Sequence, residues 1–188
     1  MINNLEHQNL IYNKLEQFIK KFYTNELLRG TIFFVGLGLL YFIFTLFIEY
    51  FLWLKPMART ILFWTFIAVE LFLLFRFILF PVFKLFKLQK GINFDDASKI
   101  IGNHFSEVGD KLTNFLQLSE DKNKSELLLA SIEQKASTLQ PIPFGNAVNF
   151  GTNKKYLPLA IIPILFFLFF LLSGQSDIIS QSFNRVVN

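Results

Sequence analysis

The sequence predicts an all-α integral membrane protein. It has three transmembrane helices, an amphipathic N-terminal helix, and a small cytoplasmic helical domain between spans two and three. Three observations carry this. Of 188 residues, 53% are hydrophobic and 26 are Phe, more apolar surface than a soluble domain of this length can bury. The apolar residues are gathered into long runs, as a bilayer requires. The segments between the runs are polar and carry helical periodicity.

Residues 1–26 come first, as a cytoplasmic amphipathic helix. Leu10, Ile11, Leu15, Phe18, Ile19 and Phe22 recur at helical spacing, and Glu6, Lys14, Glu16 and Lys20 take the opposite face. That apolar stripe suits a membrane surface or a partner, and equally suits packing on other helices of the chain. About 26 polar residues precede the first apolar run, where a signal peptide would begin with a short charged region, so a cleaved leader is not expected.

The transmembrane hairpin follows over 27–86. "LLRGTIFFVGLGLLYFIFTLFIEYFLWL" (27–54) and "ARTILFWTFIAVELFLLFRFILFPVFKLF" (58–86) each exceed the length needed to cross. The third span, over 156–174, contains "YLPLAIIPILFFLFFLLSG". Lysine and arginine set the orientation. Ten lysines lie between Lys84 and Lys155, and the tail after the third span has Arg185 alone. The N-terminus and the 87–155 domain are therefore expected in the cytoplasm of a bacterial inner membrane. Residues 175–188 are expected to begin a periplasmic region, and the natural polypeptide is expected to continue past Asn188.

Within 87–155, "NFDDASKIIGNHF" reads as a helix starting near Asn93 or Asp95, with acidic residues in its first turn. Gly102 and Gly109 are expected to break it, with Ser106 capping a second helix and Ser125 a third over 126–139. "QPIPFGNAVNFG" reads as an extended connector.

The run "DDASKIIGNHFSEVGDKLTNFLQL" (95–118), with "PIPFGNAVNF" and "NKKYLPLAIIP" after it, resembles the N-terminal membrane region of a family of large inner-membrane proteins of unknown function from the Bacteroidota. A proline usually follows the His-Phe pair in that pattern, where this chain has Ser106. The resemblance implies a longer protein with a large periplasmic portion. It also implies association with MoxR-type AAA ATPases and proteins bearing von Willebrand factor A domains.

Composition and spacing favour no catalytic chemistry. Without cysteine there is no disulfide and no thiolate metal site. His7 and His104 fall in different predicted helices, and Ser106 lacks a nucleophile elbow. "VGLGLL" (35–40) lies inside a span, where small residues permit close helix approach rather than cradle phosphate. No enzyme, cofactor or metal is expected, and the charge of +4 demands no nucleic acid.

Polar residues inside the spans are more telling. On a helical wheel, Thr31, Gly38, Tyr41, Thr45 and Glu49 share one stripe about 80° wide, and Arg59, Phe63, Phe66, Glu70 and Phe77 share another. Facing stripes would pair Glu49 with Arg59, and Glu70 with Tyr41 or Thr45. An intramembrane carboxylate is by default a functional-site hypothesis. Two readings stand. In one, a neutral Glu70 is a strut within the hairpin or to a partner subunit, and the chain is a non-catalytic anchor linking a cytoplasmic partner to periplasmic machinery. In the other, the chain is a small transporter or ion-conducting subunit that uses Glu70. The expected partners are the lipid bilayer, other membrane or periplasmic subunits, and a cytoplasmic AAA ATPase docking on the helices of 95–139 near Lys111, Lys122 and Lys124.

Overall fold

The computed structural model describes residues 2–121 and 125–172. Lys122, Lys124 and the 175–188 segment lie outside the described residues. The chain divides into two compact units, one of Met1–Asn25 with Lys84–Asn149, the other of Glu26–Phe83 with Phe150–Asn188. The described residues are helical throughout apart from turns and short links. Three helical stretches are long and apolar enough to cross a membrane: Glu6–Leu52, Pro56–Leu85 and Phe144–Leu172.

The first difference from the sequence expectation is at residue 26. The N-terminal helix and the first span are one helix, α1 (Ile2–Leu52). Nothing between Tyr23 and Gly30 stops it: Thr24 donates its hydroxyl to Lys20 O at 2.9 Å, inside the helix. Gly30 is the first glycine of the helix, and one interior glycine lowers helix stability by only about 1 kcal/mol.

In the unit containing the chain start, α1 packs with α4 (Phe94–His104), α5 (Gly109–Glu120) and α6 (Glu126–Leu139). Ile11, Leu15 and Phe18 are fully buried there, with Ile101, Leu112, Phe115 and Leu139. Of the apolar stripe of residues 10–22, Ile11, Leu15 and Phe18 are thus covered by the chain itself, while Leu10, Ile19 and Phe22 are half-buried. Tyr12 adds ring contacts with Phe94 and Phe115, at centroid distances of 5.3 and 6.0 Å. Lys14, expected on the polar face, donates to Gln140 O, and to Ile142 O at 3.1 Å.

Asn93 caps α4 through Asp96 N at 2.7 Å, and Ser125 caps α6 through Leu128 N at 3.2 Å. Ser106 does not cap α5. The N-cap position is Val108, with no side-chain cap bond. Gly102 and Gly109 act less as breakers than as a crossing point. A methyl on Gly102 would lie 2.6 Å from Gly109 Cα, so the backbones touch where both side chains are missing. Beside them, buried Ser98 shares a hydrogen bond with Thr113 across 3.2 Å.

The connector is not extended. It contains two 3₁₀ turns, Phe144–Ala147 and Phe150–Tyr156. Phe144 is 2% exposed and Val148 8%, so burial of these anchors folds the backbone that the two prolines were expected to hold straight.

The second unit holds the remainder of α1, then α2 (Pro56–Leu74), a π-helical segment (Phe75–Leu79), α3 (Phe80–Leu85) as far as Phe83, and α7 (Leu157–Leu172). Trp53, at φ 42°, turns the chain between spans, and Pro56 opens α2 where its missing N–H does no harm. The π segment closes with Phe80 N on Phe75 O. It precedes Pro81, which has no N–H to offer Phe77 O.

α1 and α2 run antiparallel: Gly30 meets Phe77, Tyr41 stacks on Phe66 at 6.0 Å, and Arg59 meets Glu49. α7 runs parallel to α1. Phe33 meets Tyr156 at 5.0 Å, Phe42 meets Phe167 at 6.1 Å, and Phe47 meets Phe170 at 6.0 Å. Ile162, Leu165, Phe169 and Leu172 point outward, as a lipid-facing helix requires.

Candidate functional site: the polar track of the hairpin

Three glycines let α1 approach its neighbours, and they serve different helices. A methyl on Gly36 would lie 2.6 Å from Leu159 O of α7. One on Gly30 would lie 2.0 Å from Phe77 O, the carbonyl Pro81 cannot serve. One on Gly38 would lie 2.9 Å from Glu70 Oε2. Two residues apart on a helix is about 200°, so "VGLGLL" faces α7 with one glycine and α2 with the other.

Glu70 therefore sits against Gly38, and not beside Tyr41 or Thr45 as the wheel suggested. The offset is about one helical turn from Tyr41 and about two from Thr45. Tyr41 is occupied by the face of Phe66, with the rings inclined by only 11°. Thr45 spends its hydroxyl on Tyr41 O at 2.9 Å, the i−4 bond open to any helical threonine. A carboxyl needs space, and the missing side chain of Gly38 supplies it. Glu70 Oε1 is buried with no hydrogen-bond partner among the described residues, the single mid-span carboxylate of the hairpin.

Near the turn of the hairpin, Arg59 Nε lies 2.8 Å from Glu49 Oε1. Glu49 is 0% exposed and the Arg59 side chain 27%. The contact is ionic and not a well-aimed hydrogen bond, since neither Glu49 oxygen nor Arg59 Nε makes one. The sequence expectation named Tyr41, Thr45, Glu49, Arg59 and Glu70; the structure joins Glu49 with Arg59 and leaves Glu70 apart.

Outside the hairpin, Lys111 is exposed on α5. Among the described residues no three of His, Asp or Glu are grouped to hold a metal ion. Sequence reasoning missed Gly38 as the seat of Glu70, and the π segment; Pro81 inside the apolar run was the available signal for the latter.

Fold and site define a unit of three helices long and apolar enough to cross a membrane, with a partly ion-paired polar track, and a separate polar helical unit. Comparison with family models, curated proteins and solved structures gives no match to this chain.

Proposed function

We propose that the chain is a non-catalytic membrane anchor or scaffold subunit of an envelope complex, linking a cytoplasmic partner to periplasmic machinery in a bacterial inner membrane. The observation that carries the reading is α1: one unbroken 51-residue helix contributes to both compact units. An anchor needs apolar helices long enough to cross a membrane and a polar helical unit on one chain, and α1 supplies residues to both. The lysines of the 87–155 region support a cytoplasmic location for the helical unit under the positive-inside rule. The family resemblance of residues 95–118 suggests a soluble AAA ATPase as the partner.

The test is purification of tagged protein from its native membrane, with identification of what accompanies it. A partner present at fixed stoichiometry should weaken on combined Lys111→Glu, Lys122→Glu and Lys124→Glu substitution, with membrane insertion unchanged. Retention of the partner after that change, and after removal of the helical unit, overturns the docking surface.

One observation favours a second reading. Glu70 Oε1 is buried without a hydrogen-bond partner among the described residues, as a proton-carrying carboxyl would be between transfers. The hairpin offers no second mid-span carboxylate to pass the proton on, so the anchor is the better reading.

A further inference from the structure

At the end of the hairpin opposite its turn, α1, the π segment and the start of α3 line an open cleft of about 180 Å³. Glu26, Arg29 and Arg76 line it, with Gly30, Phe77 and Pro81. We propose that this cleft holds the headgroup of an amine-bearing phospholipid, with the phosphate on Arg29 and Arg76 and the ammonium on Glu26.

The level fits. Along α1, Arg29 is about 30 Å from Glu49 at 1.5 Å per residue, which is the thickness of a bilayer hydrocarbon core. Glu49 and Arg59 mark one edge of the core, so Arg29 and Arg76 mark the other, where lipid phosphates lie. Free phosphate would have to enter this layer from water, whereas a lipid already presents its phosphate there.

The donors are held in place and unspent. Arg76 is exposed, with its guanidinium 5.9 Å from the Phe77 ring centre and 5.7 Å from that of Phe80. Arg29 sits 5.8 Å from the Tyr156 ring centre and gives only its Nε, at 3.4 Å, to Asn153 Oδ1. Ring faces fix a guanidinium without consuming its N–H groups. Among the described residues no ion pair joins Arg29, Arg76 or Glu26 to another side chain; the ion pairs found are Arg59–Glu49 and Lys87–Glu16. A permanently charged arginine at the level of the lipid phosphates has an anion at hand from outside the chain.

The charge pattern selects the headgroup. Two cations beside one carboxylate match a phosphate linked to a primary ammonium. A glycerol headgroup leaves Glu26 facing a negative phosphate with no compensating cation. A choline headgroup carries its positive charge without an N–H to donate.

Native mass spectrometry of the full chain in detergent tests this, offering phosphatidylethanolamine, phosphatidylglycerol and phosphatidylcholine at equal concentration, and inorganic phosphate separately. Phosphatidylethanolamine adducts should dominate. Arg29→Gln and Arg76→Gln should each reduce them about fivefold, while Arg76→Lys retains more than Arg76→Gln. Glu26→Gln should remove the preference for phosphatidylethanolamine over phosphatidylglycerol and leave total lipid binding in place. Circular dichroism identifies any variant that loses its helices, and Arg76→Lys and Glu26→Gln carry the test if the glutamine replacements of arginine do. Equal adducts of all three lipids on the wild type, adducts undiminished by the arginine changes, or occupancy by inorganic phosphate matching that of the lipid would each overturn the proposal.

Discussion

Arg59 and Glu49 form an ion pair at 2.8 Å in which the carboxylate is fully buried and the guanidinium mostly so. The pair joins the two helices beside their turn. Its value lies in what breaking it leaves behind. Taking away Arg59 strands a buried charge, whereas removing both charges leaves none.

Arg59→Leu should therefore destabilise the hairpin by about 3 kcal/mol, the lower end for a broken buried pair because Arg59 keeps some exposure. The double change Glu49→Leu with Arg59→Leu should recover most of that loss. Denaturant-induced unfolding in detergent, followed by tryptophan fluorescence, measures both. Equal damage from the single and double variants would mean the charges are solvated independently.

Glycine substitutions should rank by what the new methyl meets. At Gly30 it meets the Phe77 backbone carbonyl at 2.0 Å, and at Gly36 the Leu159 carbonyl at 2.6 Å. At Gly38 it meets a side chain that can turn away, Glu70 Oε2 at 2.9 Å. Gly30→Ala and Gly36→Ala should lower stability by roughly 1–3 kcal/mol, the usual range for overpacking, and Gly38→Ala by less. Thermal unfolding of the three variants checks the order. A Gly38→Ala protein less stable than the other two would contradict the packing described.

The helical unit should unfold on loss of its central ring. Phe115 is fully buried and touches Tyr12 across 6.0 Å. Phe115→Ala should remove roughly 3–5 kcal/mol, read as lost protection from hydrogen exchange over 94–139. Asn93→Ala should have a smaller effect, about 1 kcal/mol, through the α4 cap alone.

The three helices long enough to cross a membrane, the helix start near Asn93 and the cap at Ser125 were legible because each rests on a local signal: run length, or a polar side chain one turn from an amide. The Glu49–Arg59 contact was legible too, since only a short turn separates its members and the register cannot drift far. Glu70 was misplaced by about one to two turns because a wheel gives the angle of a residue but not its depth. Depth was fixed by the stacking of Tyr41 on Phe66 and the notch at Gly38, which are tertiary facts. Continuity of α1 was missed because a change from polar to apolar composition reads as a boundary, although neither glycine nor proline marks a stop before Gly30. The connector was misread because Phe144 and Val148 bury, and burial overrides the extended bias of residues before proline.

The anchor reading makes its sharpest claim about Glu70. If the carboxyl only fills the notch at Gly38, then Glu70→Gln, which keeps size and polarity, should assemble and function as the wild type does. Glu70→Leu should loosen the hairpin. The most direct measurement is proton flux into liposomes containing the purified protein, driven by an imposed potential and followed with an internal pH dye. The account predicts that wild type, Glu70→Gln and empty liposomes acidify at the same rate. Flux through the wild type that vanishes in a correctly assembled Glu70→Gln protein would contradict it.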